Sequence, residues 1–330
     1  MVAKIRLKKV GRKGQPSYRL VVLDGRKPRD AKVVADLGFY DPKTDPVTFE
    51  VDGETALKWL LLVSFGYMGY RNARFGRIEG HEAITSIGRE LLLTAKEIAE
   101  EKGYTFLHAL TDSLWLKKEG ATREDYLALA KEISRKTGIQ VKLEGIYRWV
   151  VFPPSKTSSY LAVPNRFFGV FEDGEMKVRG LACRRRDTPP LVKSFQEEAL
   201  ALLSKARDRR EYREVLHSQV KKLKEDYIQA LKGHRVPIEA LKITKVITKA
   251  PQEYTRATAT ALVSSQLADM GIELYPGEAI EYVVVNNKEK VGPWKVVPVS
   301  LYGGEGYDVE YYEGLVEEGW GEVEKGVGVR

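Results

Sequence analysis

The chain has 330 residues, 43% of them apolar, enough to bury a sizeable core in two or more domains. Its longest unbroken apolar run, Trp59 to Val63, is far too short to cross a bilayer, and the basic N-terminus lacks the apolar stretch of a secretory signal. Cys183 is the single cysteine, which excludes an intrachain disulfide or a cysteine-rich zinc site and suits a cytoplasmic protein. The net charge of +8 is concentrated. Ten lysines and arginines against two acids fall within residues 1–30, so this segment carries the whole net charge and points to phosphate or to a solvated basic face.

Met1 to Val10 alternates apolar and basic residues, as a strand with one buried face would. Tyr18 to Leu23 and Lys32 to Phe39 are further strand candidates around a basic loop, Asp24 to Asp30. A Pro/Asp turn from Asp41 to Pro46 and a helix over Glu54 to Leu62 complete a small α+β sheet unit. The strings KIRLKKVGRKGQPSYRLVVLDGRKPRD and LGFYDPKTDPV resemble small ribosomal subunit protein 16 of bacteria through Trp59. That resemblance implies contacts with folded ribosomal RNA by Arg12, Lys13, Tyr18, Arg19, Arg26 and Arg29, with lysines and arginines on a rigid sheet facing phosphates. For Tyr18 the residues themselves favour a buried core tyrosine. At Ala56-Leu57-Lys58-Trp59-Leu60-Leu61 the family's continuation stops and a different sequence begins.

From Lys58 to Phe75 the chain reads KWLLLVSFGYMGYRNARF, with Phe65 to Tyr70 expected as an aromatic helix-loop junction. Glu82 to Lys102 has helical apolar spacing and ends at Gly103. His81-Glu82 lacks the second histidine of a zinc-protease motif and is assigned no metal. Two apolar-rich runs then flank Thr111-Asp112-Ser113, which predicts a β-hairpin presenting one carboxylate at its turn. A Thr-x-x-Asp signal opens a helix over Thr122 to Lys136. Val141 to Phe152 and Phe167 to Arg179 are strand candidates, the second bent at Asp173-Gly174, and Pro189 to Gly233 is strongly helical. Beyond Tyr307 the pattern weakens into a Gly/Glu-rich end.

In this order the motifs resemble the C-terminal half of family B DNA polymerases, over residues 56 to 330, in the divergent archaeal branch. The fold implied is α+β: the sheet unit over 1–60, the fingers end and an antiparallel palm over 61–188, and a helical thumb over 189–330. The resemblance makes Lys58 and Gly66 nucleotide-binding residues of the fingers helix, with Leu62, Val63 and Phe65 replacing the family's Asn, Ser and Tyr. Arg166 and Arg184 to Arg186 become contacts to primer-template DNA. The family hairpin reads Asp-Thr-Asp-Ser and here Leu110-Thr111-Asp112-Ser113, so Asp112 matches the metal-binding second aspartate and Leu110 replaces the first. The family's preceding palm motif has only a decoy in Asp269 to Pro276, and no exonuclease half precedes it. The expectation is a chain inactive alone, holding Mg2+ only when a second polymerase chain docks in trans. The alternative is a ribosomal structural protein with an idle polymerase-derived extension.

Overall fold

The structure is a computed structural model that describes residues 3–12, 15–24, 33–74, 76–155, 161–288, 295–304 and 306–324. It contains two compact units, Met1–Glu119 with Lys136–Gly138 and Gly120–Arg135 with Ile139–Arg330.

The first unit begins with an antiparallel meander of β1 (Ala3–Lys9), β2 (Tyr18–Asp24), β3 (Ala35–Asp41) and β4 (Thr48–Val51). Val21, Val22 and Leu23 on β2 and Leu37 on β3 are buried. In the edge strand β1 the alternation does not translate into a covered face, because Leu7 stays exposed. The third strand runs two residues past its predicted end, and β4 was not anticipated, being only four residues long behind a Pro-Val pair.

Helix α1 (Gly53–Met68) starts where the Asp52 side chain accepts the Thr55 N–H at 3.1 Å, and it runs six residues beyond its predicted end. The two sequence families thus meet inside one helix. Helix α2 (Ile78–Glu101) follows a tight junction in which Phe65 stacks on His81 at 4.2 Å. His81 Nδ1 lies 3.2 Å from the Phe65 carbonyl oxygen, and a Cβ at Gly69 would come within 2.9 Å of that imidazole. His81 is therefore the wedge of a packed aromatic corner. The last turns of α2 bury Ala95, Ile98 and Ala99 and pack against the hairpin β5 (Thr105–Leu110) and β6 (Ser113–Lys117), where Trp115 is buried. Lys118 ties the hairpin's end back, donating to the Lys102 carbonyl at 2.9 Å with its ammonium 4.8 Å from the Tyr104 ring centre.

In the second unit, α3 (Arg123–Thr137, its last two residues in the first unit) has a reciprocal cap. Thr122 N–H donates to Asp125 Oδ2 at 2.8 Å, and Asp125 N–H donates to Thr122 Oγ1 at 3.3 Å. The strand predicted from Val141 begins only at β7 (Tyr147–Val151). Val141 N–H donates to the Ser134 hydroxyl at 2.8 Å, a side-chain bond that competes with a sheet ladder. β8 (Phe167–Phe171), buried along its whole length, lies between β7 and β9 (Met176–Arg179), with the β8–β9 turn at Asp173-Gly174 as expected. A 3-10 turn over Ala182–Arg184 leads to α4 (Pro190–Leu203). Then α5 (Arg209–Val215) passes through a π-helical turn, Leu216–Val220, into α6 (Lys221–Lys232). The short α7 (Ile238–Leu241) precedes an antiparallel sheet of β10 (Ile243–Val246), β11 (Ala279–Val284) and β12 (Val296–Pro298), with α8 (Ala259–Asp269) packed on it.

The segment beyond Tyr307, where the sequence pattern weakens, is a packed helix. Val309–Glu324 forms α9, which buries Tyr312, Val316, Gly319, Trp320 and Val323 in the core with Phe168, Phe195, Leu203 and Leu216. Positions 312, 316, 319, 320 and 323 recur at helical spacing, and Gly314, Gly319 and Gly321 hid that period. Buried polar tips hold the helices in register. Tyr212 hydroxyl donates to the Val323 carbonyl, Val284 N–H donates to the Tyr312 hydroxyl and Trp149 Nε1–H donates to the Ala206 carbonyl, each at 2.9 Å.

Cys183 lies in this core, and burial pushes its thiol up to about 11. The native chain should therefore resist iodoacetamide in mildly alkaline buffer while the urea-unfolded chain is alkylated within minutes, read by mass spectrometry. Equal rates in the two states would contradict the buried placement.

Candidate active-site hairpin and phosphate-facing arginines

Asp112 stands exposed on a two-residue connection between β5 and β6, whose register pairs Leu110 with Ser113. The turn is tight: Asp112 N–H donates to the Leu110 carbonyl at 2.6 Å, and Thr111 is held at φ +54°. A β-branched residue with positive φ is strained, a condition that persists where the surroundings over-determine the backbone. The strain fixes the direction in which Asp112 leaves the hairpin, and Ser113 Oγ–H donates to its Oδ1 at 3.3 Å. Across from Ser113, Leu110 is buried, so the hairpin offers one carboxylate and an apolar neighbour. Among the described residues no group of three or more His, Cys, Asp or Glu side chains stands ready for a metal. This donor set does not by itself fit a two-ion centre, which needs carboxylates clamping both ions. Asp269, of the decoy motif, ends α8 on the surface.

Lys58 and Gly66 lie on α1, both exposed. A Cβ at Gly66 would meet nothing within 4 Å, so packing within the chain does not demand glycine there.

In the second unit the arginines fall into two pairs. Arg166 and Arg185 are drawn together on one carboxylate oxygen, Glu322 Oε1: Arg166 Nη1 lies 3.3 Å from it and Arg185 Nη2 donates to it. The other oxygen, Oε2, accepts the Ala182 N–H at 2.8 Å and the Gln196 amide at 2.9 Å. Gln196, wholly buried, also accepts the Cys183 N–H at 2.8 Å and donates to the Gly319 carbonyl at 3.1 Å. Glu322 and Gln196 thus pin the Leu181–Arg185 turn to α9 and α4. Gly180 enters that turn at φ +72°, where a Cβ would lie 2.2 Å from the Asn165 carbonyl oxygen, so only glycine fits. Sequence reasoning missed Glu322 and Gln196, because neither belongs to a motif and α9 itself went unread.

Arg184 and Arg186 remain exposed. Arg184 borders a cleft of about 400 Å³ shared with Arg123, Lys177, Glu144, Glu172, Asp173 and Glu175. Four acids make that cleft a poor seat for phosphate. Along α6, Lys224 and Lys232 are paired with Glu317 and Glu313 of α9, so part of the helical basic charge is spent internally.

On the sheet of the first unit, Arg12 is exposed, Arg19 lies 3.5 Å from Asp36, and Tyr18 is half-buried and stacked with Tyr40 at 6.0 Å, as a core tyrosine would be. Lys13, Arg26 and Arg29 lie outside the described residues. No helix among the described residues is long and apolar enough to cross a membrane.

A family model described as DNA polymerase family B matches residues 52–314, and one described as Ribosomal protein S16 matches residues 9–62. The DNA polymerase of Archaeoglobus fulgidus is 29% identical over 266 residues, covering 79% of this chain and 32% of that protein. DNA polymerase 2 of Saccharolobus solfataricus is 36% identical over 152 residues, 46% of this chain and 22% of its own length. The solved structure of the family B DNA polymerase from the hyperthermophilic archaeon Pyrobaculum calidifontis superposes with a TM-score of 0.54 at 26% identity, covering 84% of this chain and 33% of that one. The chain spans about a third of the length or less of each of these three relatives. With four-fifths of its residues matched by one family model and a fold that superposes on a solved member, the chain belongs to DNA polymerase family B, entered through a segment that matches ribosomal protein S16.

Proposed function

We propose that this chain is the part of a family B DNA polymerase that binds primer-template duplex and contributes one catalytic carboxylate, Asp112, to template-directed nucleotidyl transfer in the cytoplasm. The observation that carries the reading is the exposed, backbone-fixed placement of Asp112 at the family's hairpin, with Leu110 where the other aspartate belongs. Mg2+ would be held only in an assembly where a second polymerase chain sets another carboxylate beside Asp112, because ions about 3.5–4 Å apart need both. Lys58 would meet the nucleotide's phosphates from α1. Arg184 and Arg186 would take duplex phosphates from solvent, while Arg166 and Arg185 would add only the N–H donors that Glu322 leaves to them.

The lone chain should accordingly show no primer extension above an Asp112→Asn control. Template-dependent incorporation by the purified wild type alone would refute the need for a second carboxylate. Duplex binding should nevertheless be measurable. Replacing Arg184 and Arg186 with glutamine should flatten the dependence of log affinity on log salt by about 1.8 units, at ~0.9 unit per phosphate contact. An unchanged slope would move the duplex surface elsewhere.

The match over residues 9–62 favours a second reading, in which the β1–β4 sheet binds folded RNA through Arg12, Lys13, Arg19, Arg26 and Arg29 and the polymerase-derived body is idle. Because β2 carries the buried Val21, Val22 and Leu23, this reading is tested by substitution and not by deletion. Arg12→Gln with Arg19→Gln should weaken binding to a structured ribosomal RNA fragment and leave duplex DNA binding unchanged. Equal loss on both ligands would speak against it.

A further inference from the structure

The two oxygens of Glu322 have separate tasks. Oε2 is held from the protein side, accepting the Ala182 N–H at 2.8 Å and the Gln196 amide at 2.9 Å. Among the described residues Oε1 meets only arginines, with Arg166 Nη1 at 3.3 Å and Arg185 Nη2 donating to it. Tying the Leu181–Arg185 turn to α9 needs the first oxygen alone, so the second is left to explain. Exposure supplies a direction. The Glu322 side chain is 10% exposed, Arg166 27% and Arg185 38%, which puts the carboxylate beneath two guanidinium groups that reach solvent.

An arginine and a carboxylate commonly pair edge to edge through two parallel hydrogen bonds, which satisfies both groups. Here each guanidinium reaches Oε1 through one terminal nitrogen, so one negative charge faces two positive ones. Each planar fork of five N–H donors keeps donors unengaged. Arg185 adds only a long contact to the Gly180 carbonyl at 3.5 Å. Two like charges side by side would separate if the anion between them were gone. With it they form a surface pair that retains one positive charge and spare donors. An oxyanion suits such a pair, and on a nucleic-acid duplex that oxyanion is a backbone phosphate.

We propose that Glu322 is a positioning residue for duplex binding, drawing Arg166 and Arg185 into one seat for a single backbone phosphate. This rests on the duplex-binding reading above and adds to it a residue beyond 314, where the polymerase family match ends. An amide cannot take over the role. Both oxygens of Glu322 accept, whereas Glu322→Gln offers one acceptor and one donor, so a donor faces either the arginines or the Ala182 N–H.

The sign of the effect separates positioning from charge. Glu322→Gln removes a negative charge, so if charge alone mattered it would tighten duplex binding and steepen the fall of log affinity with log salt. Loss of the seat does the opposite: the dissociation constant should rise about tenfold, and the slope should flatten by ~0.9 unit, one phosphate contact. Fluorescence anisotropy on a labelled primer-template duplex over a range of salt, well below each variant's thermal midpoint, reads both. A variant that merely folds badly loses active fraction and keeps the wild-type slope. Arg166→Gln with Arg185→Gln, which leaves the Oε2 bonds in place, should also flatten the slope by ~0.9 unit, because the two share one phosphate. Adding Glu322→Gln to that pair should not flatten it again. Glu322→Gln binding duplex as tightly as wild type or more tightly overturns the positioning role and leaves duplex binding standing. So does a loss of about 1.8 units from the arginine pair, the mark of two independent phosphates. A wild-type chain that binds no duplex overturns the duplex reading and this proposal together.

Discussion

Glu322→Ala should lower the unfolding free energy of the second unit by about 3 kcal/mol, near the bottom of the range for breaking a buried ion pair because both arginines keep some access to water. The carboxylate receives four donors: the Arg166 and Arg185 guanidinium groups, the Ala182 N–H and the Gln196 amide. Truncation leaves the Ala182 N–H and one Gln196 N–H buried and unpaired, each worth roughly 1–3 kcal/mol if nothing moves to meet them. Glu322→Gln keeps an acceptor and loses the charge, so it should cost about half as much. Urea titration followed by tryptophan fluorescence, with Trp149 and Trp320 in this unit, measures the difference. Glu318→Ala, one turn away and exposed, is the control and should stay within about 0.5 kcal/mol of wild type. A Glu322→Ala variant as stable as that control would remove Glu322 from its place as the tie between α9 and the arginine-bearing turn.

The second large effect concerns chemistry. In an assembly that carries out nucleotidyl transfer, Asp112→Asn should cut single-turnover incorporation by at least about a thousandfold, equivalent to roughly 4 kcal/mol of transition-state stabilisation. The amide keeps the shape and the Ser113 hydrogen bond but cannot supply the negative charge a divalent ion requires. Folding should be untouched, since the side chain is exposed at a turn, and an unchanged thermal midpoint would show that. The wild-type rate itself should be modest if, as the resemblance implies, Leu62, Val63 and Phe65 replace polar nucleotide contacts, since each lost contact of about 1.4 kcal/mol costs tenfold.

What could be read from the sequence followed the range of the forces involved. The Asp112 hairpin, the Thr122 cap and the Asp173-Gly174 turn were legible because each is settled by residues within a few positions of one another. The aromatic corner at Phe65 to Tyr70 was legible as packing, though its wedge His81 was not. Helix α9 was obscured by its three glycines, which lower helix propensity but are tolerated where the helix packs against α4 and α6. Glu322 was beyond reach for a different reason. Its contacts to Ala182, Arg185 and Gln196 close over 140, 137 and 126 residues, and no local pattern announces a partner that distant. The same distance changed the meaning of Arg166 and Arg185, legible as basic residues near a family motif but not as residues already engaged with a carboxylate. Val141 failed as a strand start because Ser134, seven residues earlier, had captured its N–H.

Whether Asp112 acts with a carboxylate from another chain is tested directly by primer extension in a mixture. This chain, an N-terminal family B polymerase half from the same genome, their mixture, and the mixture made with Asp112→Asn are compared on one primed template. Incorporation is expected in the wild-type mixture only. Extension that survives Asp112→Asn, or that the chain achieves unaided, would contradict it.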